Sequence, residues 1–313
     1  MTIELAASNL ALTNIDLTDL DSIEPDRLTT AWVGVDLSIL GAAVDCLSDS
    51  DLPVDRLNFP RLASSANAAF KGGLDFVTLG KRFQTRSDRQ VRDGSLDGAK
   101  TLAKLADFSK GGVFVEVPAT ADHINQAIDL VAAQSEGWAG VSFEVDADTD
   151  LASLAESVTS ARSAGINAQI IATAAVAQER AAEIAELADT VRLKTNDPHA
   201  ARSARFALRA ASHELSRDLL VFAELGIVIS ASLQAAEERA LLISEINACP
   251  LFADLHSIIG TVYDVADAIE SWIGLGAADG VILLPASLPT DLASILKGVL
   301  PLLKARSVIE EDE

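Results

Sequence analysis

The chain has 313 residues and a mass of 32.8 kDa, which suffices for one large domain or two medium ones with a substantial core. It carries 24 Lys and Arg residues against 46 Asp and Glu residues, and the net charge of −22 repels phosphate backbones and anionic lipid. We therefore expect neither a nucleic-acid partner nor a membrane partner. Two cysteines, Cys46 and Cys249, are too few for a disulfide framework or a zinc site. We expect reduced thiols in a cytoplasmic protein, with a single disulfide as the alternative.

The ends of the chain differ in character from its middle. No apolar run reaches the ~18–20 residues that a membrane span needs. The first residues carry acidic side chains where a secretory signal would have basic ones. We interpret residues 1–28 as an N-terminal extension, residues 29–307 as a single domain and residues 308–313 as an acidic tail.

Short apolar runs rich in Val and Ile recur from about residue 30 onward. They are largely unalternated, as expected for parallel strands that are covered on both faces. The predicted strands are residues 31–37, 75–80, 112–117, 139–145, 168–174, 190–194, 219–230 and 280–287.

Amphipathic helical patterns lie between these runs. Residues 121–134, 151–165 and 261–276 place apolar side chains at i, i+3, i+4 and i+7. Thr120 is positioned to cap the first of these helices, and Gly165 can end the second in the left-handed conformation. Eight strands that alternate with helices predict a single (β/α)8 TIM barrel, an α/β fold. A doubly wound open sheet is the competitor, but no GxGxxG motif follows a strand.

Chemistry in such barrels takes place at the C-terminal ends of the strands. The polar candidates there are Asp36, Ser38, Lys81, Arg82, Glu116, Thr120, Glu144, Asp146, Thr173, Lys194, Thr195, Asn196, Glu224, Ser230 and Ser287.

Glu144 and Lys194 are the catalytic candidates among these residues. A desolvated lysine can form a Schiff base with a carbonyl substrate, although Lys194 can equally extend into water just past its strand. Glu144 and Asp146 alternate along the chain, so we do not expect both to point inward. The four histidines lack the spacing of metal ligands, and we expect no metal site.

The last third of the chain carries a more specific pattern. Residues 258–289 read IIGTVYDVADAIESWIGLGAADGVILLPASLP, in which Gly260-Thr261 opens a helix and Asp279-Gly280 enters the last strand. Over residues 177–305 the chain resembles the bacterial luciferase-like flavin-dependent monooxygenases, especially the nitrilotriacetate and alkane monooxygenase branch.

The resemblance implies a (β/α)8 barrel that binds reduced FMN and activates O2 to oxygenate a small organic substrate. Some relatives use a deazaflavin to transfer hydride instead. The resemblance also implies a flavin reductase partner and a homodimer. Thr173, Ala174, Ala175 and Arg180 would border the flavin phosphate, with Glu144 and Thr120 on the ring side.

Two segments depart from the family pattern. Where relatives have a glycine-containing phosphate turn after strand 5, this chain has Ala172-Thr173-Ala174-Ala175. Where they have an arginine before strand 4, it has Trp138. Three functions therefore stay open: a flavin-dependent monooxygenase or oxidoreductase, a non-catalytic barrel with no cofactor that serves a structural or regulatory role, and a Schiff-base lyase that uses Lys194.

Overall fold

The computed structural model describes residues 31–42, 56–86, 93–105, 111–132 and 138–311. The predicted N-terminal extension lies outside these residues, as do the last two residues of the predicted acidic tail. Within the described ranges the strands are β1 (Trp32–Asp36), β2 (Phe76–Leu79), β3 (Gly112–Glu116), β4 (Ala139–Glu144), β5 (Asn167–Thr173), β6 (Thr190–Lys194), β7 (Leu220–Ile229), β8 (His256–Gly260) and β9 (Gly280–Pro285).

The sheet closes on itself through eight of these strands. Parallel pairing runs without interruption from β1 to β7, then from β7 to β9, and β9 pairs with β1. The eight closing strands are the eight that the apolar runs predict. The (β/α)8 barrel is therefore confirmed, and the open doubly wound sheet is excluded.

The additional strand, β8, lies between the last two predicted strands, 219–230 and 280–287, where the sequence predicts no strand. The ten-residue β7 pairs with β6 through Leu220 to Ala223 and with β8 through Leu225 to Ile229. Strand β8 therefore extends the barrel wall only near the C-terminal mouth. Its sequence, HSIIG, is too short and too polar at its start to stand out as an apolar run.

The helices follow the strands as a barrel requires. They are α1 (Phe59–Gly72), α2 (Asp97–Leu105), α3 (Ala121–Val131), α4 (Ala155–Ser163), α5 (Ala174–Glu179), α6 (Ala181–Leu187), α7 (Pro198–Glu214), α8 (Leu233–Asn247), α9 (Val262–Gly274), α10 (Thr290–Ser294) and α11 (Leu300–Glu311). The predicted caps are confirmed, because the Thr120 side chain accepts the His123 N–H at the start of α3 and Gly165 has φ +74 after α4. Among the described residues, no helix is both long enough and apolar enough to cross a membrane.

Aromatic rings fill the N-terminal end of the barrel. Phe76 lies 5.6 Å from Phe114 and 5.1 Å from Phe222 between ring centroids, and Trp138 lies 5.1 Å from Phe114. A glycine makes the room, since a Cβ on Gly34 would be 2.2 Å from the Phe76 ring. These four aromatic side chains therefore close the bottom of the barrel and leave its opposite end open.

Candidate functional site

A cavity of about 950 Å³ opens at the C-terminal mouth of the barrel. One side of this mouth cavity is largely apolar and is formed by residues after α8 and in β9, namely Pro250, Phe252, Ala253, Leu255, Leu284 and Pro285. The floor and the opposite rim are charged, with Asp36, Lys81, Glu116, Glu144, Arg192, Lys194 and Glu224. Such a combination suits a ligand with a flat apolar body and a polar edge.

The floor of the mouth cavity is a buried ion cluster around Arg192. The Arg192 Nε donates to Glu224, and an Arg192 terminal nitrogen lies 3.5 Å from an Asp36 carboxylate oxygen. Asp36 also accepts from the Thr78 hydroxyl at 2.7 Å. Burial alone would lower the pKa of Arg192, but Glu224, Asp36 and Glu116 outweigh it and raise that pKa. The guanidinium therefore stays charged beneath the cavity.

Glu144 joins two lysines at the rim of the mouth cavity. Its carboxylate accepts from Lys194 Nζ at 2.7 Å and from Lys81 Nζ at 2.5 Å. Burial alone would raise the pKa of Glu144, but the two lysine hydrogen bonds overcome it and hold that pKa below its ordinary value. Glu144 is therefore a permanent carboxylate near neutral pH and a poor proton donor.

Glu116 lies between the rim and the floor, and the pKa of its carboxyl is shifted in the opposite direction to that of Glu144. Burial raises the pKa of its carboxyl above the ordinary value, although Arg192 and a hydrogen bond from the Lys81 backbone N–H oppose the shift. That N–H lies 3.0 Å from Glu116 Oε2. Of these two glutamates, Glu116 is the one whose protonated form is favoured by burial.

The turn after β5 also reaches the mouth cavity. Thr173, Ala174 and Ala175 all line it, and Thr173 caps α5 by accepting the Val176 N–H at 3.3 Å. The Thr173 hydroxyl can still donate its own proton to a ligand. The alanines in place of the family's glycines do not prevent the turn from forming, because it is closed by the threonine cap.

Two residues predicted for the site lie elsewhere. Thr120 does not line the mouth cavity, and its hydroxyl is engaged with His123 Nδ1 at 2.7 Å. Arg180 donates to the backbone oxygens of Asp146 and Thr149, at 2.8 and 2.9 Å, and pairs with Glu183. Its guanidinium holds the loop after β4 and does not face the mouth cavity.

Lys194 lines the cavity as predicted, but its surroundings do not favour a Schiff base. Its Nζ donates to Glu144 at 2.7 Å, so the nitrogen that would attack a carbonyl is already engaged. Among the residues that the structure describes, no cluster of three or more His, Cys, Asp and Glu side chains could hold a metal ion.

Arg192 lies at the centre of the charged floor of the mouth cavity, but it is not among the candidates predicted from the sequence. The available signal was a charged residue two positions before Lys194 within an otherwise apolar strand. Residues i and i+2 of a strand share a face, so two basic residues on β6 point into the barrel together.

The closed parallel barrel agrees with the fold that the resemblance to the luciferase-like flavin-dependent monooxygenases implies. No protein-family model matches the chain, and no curated protein matches it. Among solved structures, it is similar to EDTA monooxygenase from Chelativorans sp. BNC1, with 13% identity over 88% of this chain and 94% of that one and a TM-score of 0.69.

Two further structures share this fold. A long-chain alkane monooxygenase has 12% identity over 88% of this chain and 91% of that one, with a TM-score of 0.63. A riboflavin lyase, solved with modified FMN and riboflavin, has 14% identity over 89% of this chain and 92% of that one, also with a TM-score of 0.63. The resemblance to the luciferase-like family is thus confirmed as a resemblance in fold.

Proposed function

We propose that the chain is a flavin-dependent oxidoreductase of the luciferase-like type, which binds reduced flavin in the mouth cavity and acts on a small organic substrate. The observation that carries the proposal is the cavity of about 950 Å³ with one apolar side and a charged floor, at the mouth of a luciferase-like barrel. FMN is the cofactor that we expect, with a deazaflavin as the alternative.

The residues present fit the parts of a flavin. The apolar side formed by Phe252, Leu284 and Pro285 suits a tricyclic ring system. For the phosphate, the rim supplies the two ammonium groups of Lys81 and Lys194 and the turn supplies the Thr173 hydroxyl. The phosphate must compete with Glu144 for both lysines, so we expect weaker binding than an unopposed cation pair would give.

The charged residues have distinct roles in this proposal. A bound reduced flavin supplies the electron pair, either as hydride or for the activation of O2. Glu116, whose carboxyl pKa is raised by burial, lines the cavity and serves as the general acid or base toward the substrate. Arg192 keeps positive charge under the cavity and so stabilises negative charge that develops above it. Glu144 orients the two lysines, which makes it a positioning residue.

Two partners follow from the same proposal. A separate flavin reductase would supply the reduced flavin, as the resemblance to the luciferase-like monooxygenases implies. We also propose a homodimer, which light scattering after size-exclusion chromatography tests directly.

Flavin titration tests the proposal. FMN and a deazaflavin are titrated into the protein while visible absorbance and flavin fluorescence are followed. The side chain of Ala175 is exposed and lines the mouth cavity, whereas that of Ala182 on α6 is exposed outside it. We expect saturable binding that Ala175→Trp weakens at least tenfold and Ala182→Trp leaves unchanged. Failure of both flavins to bind the wild-type protein would refute the proposal.

A non-catalytic barrel is the second candidate function. This candidate is favoured because the cations that could bind a flavin phosphate already have partners. Glu144 pairs with Lys81 and Lys194, and backbone oxygens of the loop after β4 accept from Arg180. A melting temperature that does not rise on addition of FMN would favour this candidate, because a ligand that binds the native state stabilises it.

A further inference from the structure

Thr120, His123 and Asp93 form a cluster of side chains that the proposed function does not use. Thr120 Oγ1 lies 2.7 Å from His123 Nδ1. On the other side of the ring, His123 Nε2 lies 3.6 Å from Asp93 Oδ2. A hydroxyl, an imidazole and a carboxylate in this order are the groups of a nucleophilic triad, which is recognised by geometry and not by fold or position in the chain.

The two contacts of the imidazole select one tautomer of His123. The Thr120 hydroxyl donates to Nδ1 only when the ring proton is on Nε2, and Nε2 is the atom that faces Asp93. The distance from Nε2 to the carboxylate is longer than a hydrogen bond, as such contacts often are before a substrate binds.

The Asp93 carboxylate is held in place and stays charged. The backbone N–H and the hydroxyl of Ser95 donate to it at 2.9 and 2.8 Å. These two hydrogen bonds hold the pKa of Asp93 below its ordinary value. A carboxylate that is charged near neutral pH can orient the His123 ring and stabilise the imidazolium that forms when the ring takes a proton.

Thr120 occupies a turn between a strand and a helix. It follows β3, it is the N-cap of α3, and the residue is exposed. Its hydroxyl also accepts the His123 N–H at 3.4 Å, which fixes the oxygen over the first turn of the helix. The N–H groups of Ala121 and Asp122 belong to that turn, where a helix offers them no acceptor. In hydrolases with a nucleophile at such a turn, the N–H of the next residue binds the negatively charged oxygen of the transition state.

A cavity of about 460 Å³ adjoins this turn and is separate from the mouth cavity in most of its lining. One part of its wall is formed by residues 117–119, a valine, a proline and an alanine, which directly precede Thr120. Another part is formed by Asp93, Gly94 and Ser95. A small acyl group therefore has room beside the triad.

We propose that Thr120 is the nucleophile of a second activity, the hydrolysis of small neutral carboxylic esters. Thr120 Oγ1 bonds to the carbonyl carbon of the ester while its proton passes to His123, and the alcohol then leaves with that proton. Water adds to the acyl-threonine as it gives a proton to His123, and the threonine oxygen leaves with that proton. Asp93 acts through the His123 ring and is a positioning residue. The ester is neutral because the net charge of −22 repels anionic ones.

Ester hydrolysis by the full-length protein tests the proposal. The probe is p-nitrophenyl acetate, and the release of nitrophenolate is followed by absorbance. We expect hydrolysis above the rate in buffer, and we expect kcat/KM to fall about 100-fold in Thr120→Val and in His123→Gln. Thr120→Ser keeps the hydroxyl and should stay active. Asp93→Asn should lower kcat and leave KM nearly unchanged, because the carboxylate does not contact the ester.

A matched variant controls for hydrolysis by surface imidazoles, which attack activated esters without a triad. His199 is an exposed histidine in the first turn of α7. His199→Gln should hydrolyse the ester as the wild type does. Absence of hydrolysis by the wild type, equal hydrolysis by His123→Gln, or an equal loss in His199→Gln would overturn the proposal.

Covalent labelling identifies the nucleophile without relying on a change at the helix cap. Diisopropyl fluorophosphate, which phosphorylates activated hydroxyl groups, is incubated with the protein, and the modified residue is located by peptide mass spectrometry. We expect the label on Thr120 in the wild type and none there in His123→Gln. An unlabelled Thr120 in the wild type, or equal labelling in His123→Gln, would contradict its role as nucleophile.

The ester activity and the proposed flavin function are tested separately. Thr120 and His123 do not line the mouth cavity, so FMN should bind to Thr120→Val and His123→Gln as it does to the wild type. If flavin binds and no ester is hydrolysed, the triad fails alone. If ester is hydrolysed through Thr120 and no flavin binds, the proposed function fails and the triad stands.

Discussion

Replacing Glu144 with glutamine tests the electrostatics of the mouth most sharply. The carboxylate accepts from Lys194 at 2.7 Å and from Lys81 at 2.5 Å, so one residue engages both ammonium groups. Glutamine has nearly the same shape but no charge. In Glu144→Gln the two lysines are free to meet the phosphate of FMN, and we expect the variant to bind FMN more tightly than the wild type.

The size of the effect follows from distance and solvent. Two unit charges about 4 Å apart interact by ~4 kcal/mol at an effective dielectric of about 20. The Glu144 side chain is 42% exposed and that of Lys81 is 61% exposed, so water screens most of this energy. A gain of about 1 kcal/mol, or about fivefold in Kd, is what exposed pairs support.

Fluorescence titration measures the change, with riboflavin as the ligand that lacks the phosphate. Glu144→Gln should improve FMN binding and leave riboflavin binding unchanged. Glu183→Gln is the matched variant, because Glu183 also pairs with a cation, Arg180, but outside the mouth cavity. Weaker FMN binding in Glu144→Gln, or equal gains for FMN and riboflavin, would refute the reasoning.

Three further predictions concern the stability of the barrel. Arg192→Leu should lower the free energy of unfolding, measured in urea, by about 3–5 kcal/mol, because it leaves Glu224 buried without its partner. Adding Glu224→Leu should restore much of the lost free energy. A single variant as stable as the wild type would contradict this. Burial raises the pKa of Asp75 to about 7, even though the carboxylate accepts the Val33 N–H at 2.8 Å. Between its ordinary value and 7 the folded state holds a proton that the unfolded state has lost, so wild-type stability falls as pH rises through this window, by up to about 4 kcal/mol. Asp75→Asn keeps the acceptor and should flatten this dependence between pH 5 and 8 in thermal melts, whereas an unchanged slope would assign the titration to another group. Gly34→Val places a side chain in the space of a packed phenylalanine ring and should lower the melting temperature by several degrees, and a variant that melts like the wild type would show that the aromatic cluster is loosely packed.

The barrel itself could be predicted from the sequence because its strands are covered on both faces. Burial on both faces produces unbroken apolar runs, and each of the eight runs became a closing strand. Strand β8 left no such signal. Its residues His256 and Ser257 are partly or fully exposed, and its place depends on the length of β7 rather than on its own sequence.

The site was only partly predictable because side-chain direction depends on local partners. Glu144 ends β4 and Lys194 ends β6. Because active groups in such barrels lie at the C-terminal ends of the strands, both residues could be predicted to line the mouth. Thr120 lies after β3 and Arg180 lies after α5, but a helix cap engages the first and a backbone loop engages the second. The sequence shows neither of these bonds.

Arg192 is a site residue that could not be predicted from the sequence. An arginine inside a strand is ordinarily expected at the surface. Closure of the barrel supplies the acids that let Arg192 be buried, because it brings Glu224 on β7 and Asp36 on β1 to its side chain.

A crystal structure of the protein soaked with FMN tests the central claim most directly. We expect electron density for the ring system in the mouth cavity, against the side that contains Leu284 and Phe252. The phosphate should lie near Lys81 and Lys194. Density for FMN elsewhere, or an empty mouth cavity at an FMN concentration well above the measured Kd, would contradict it.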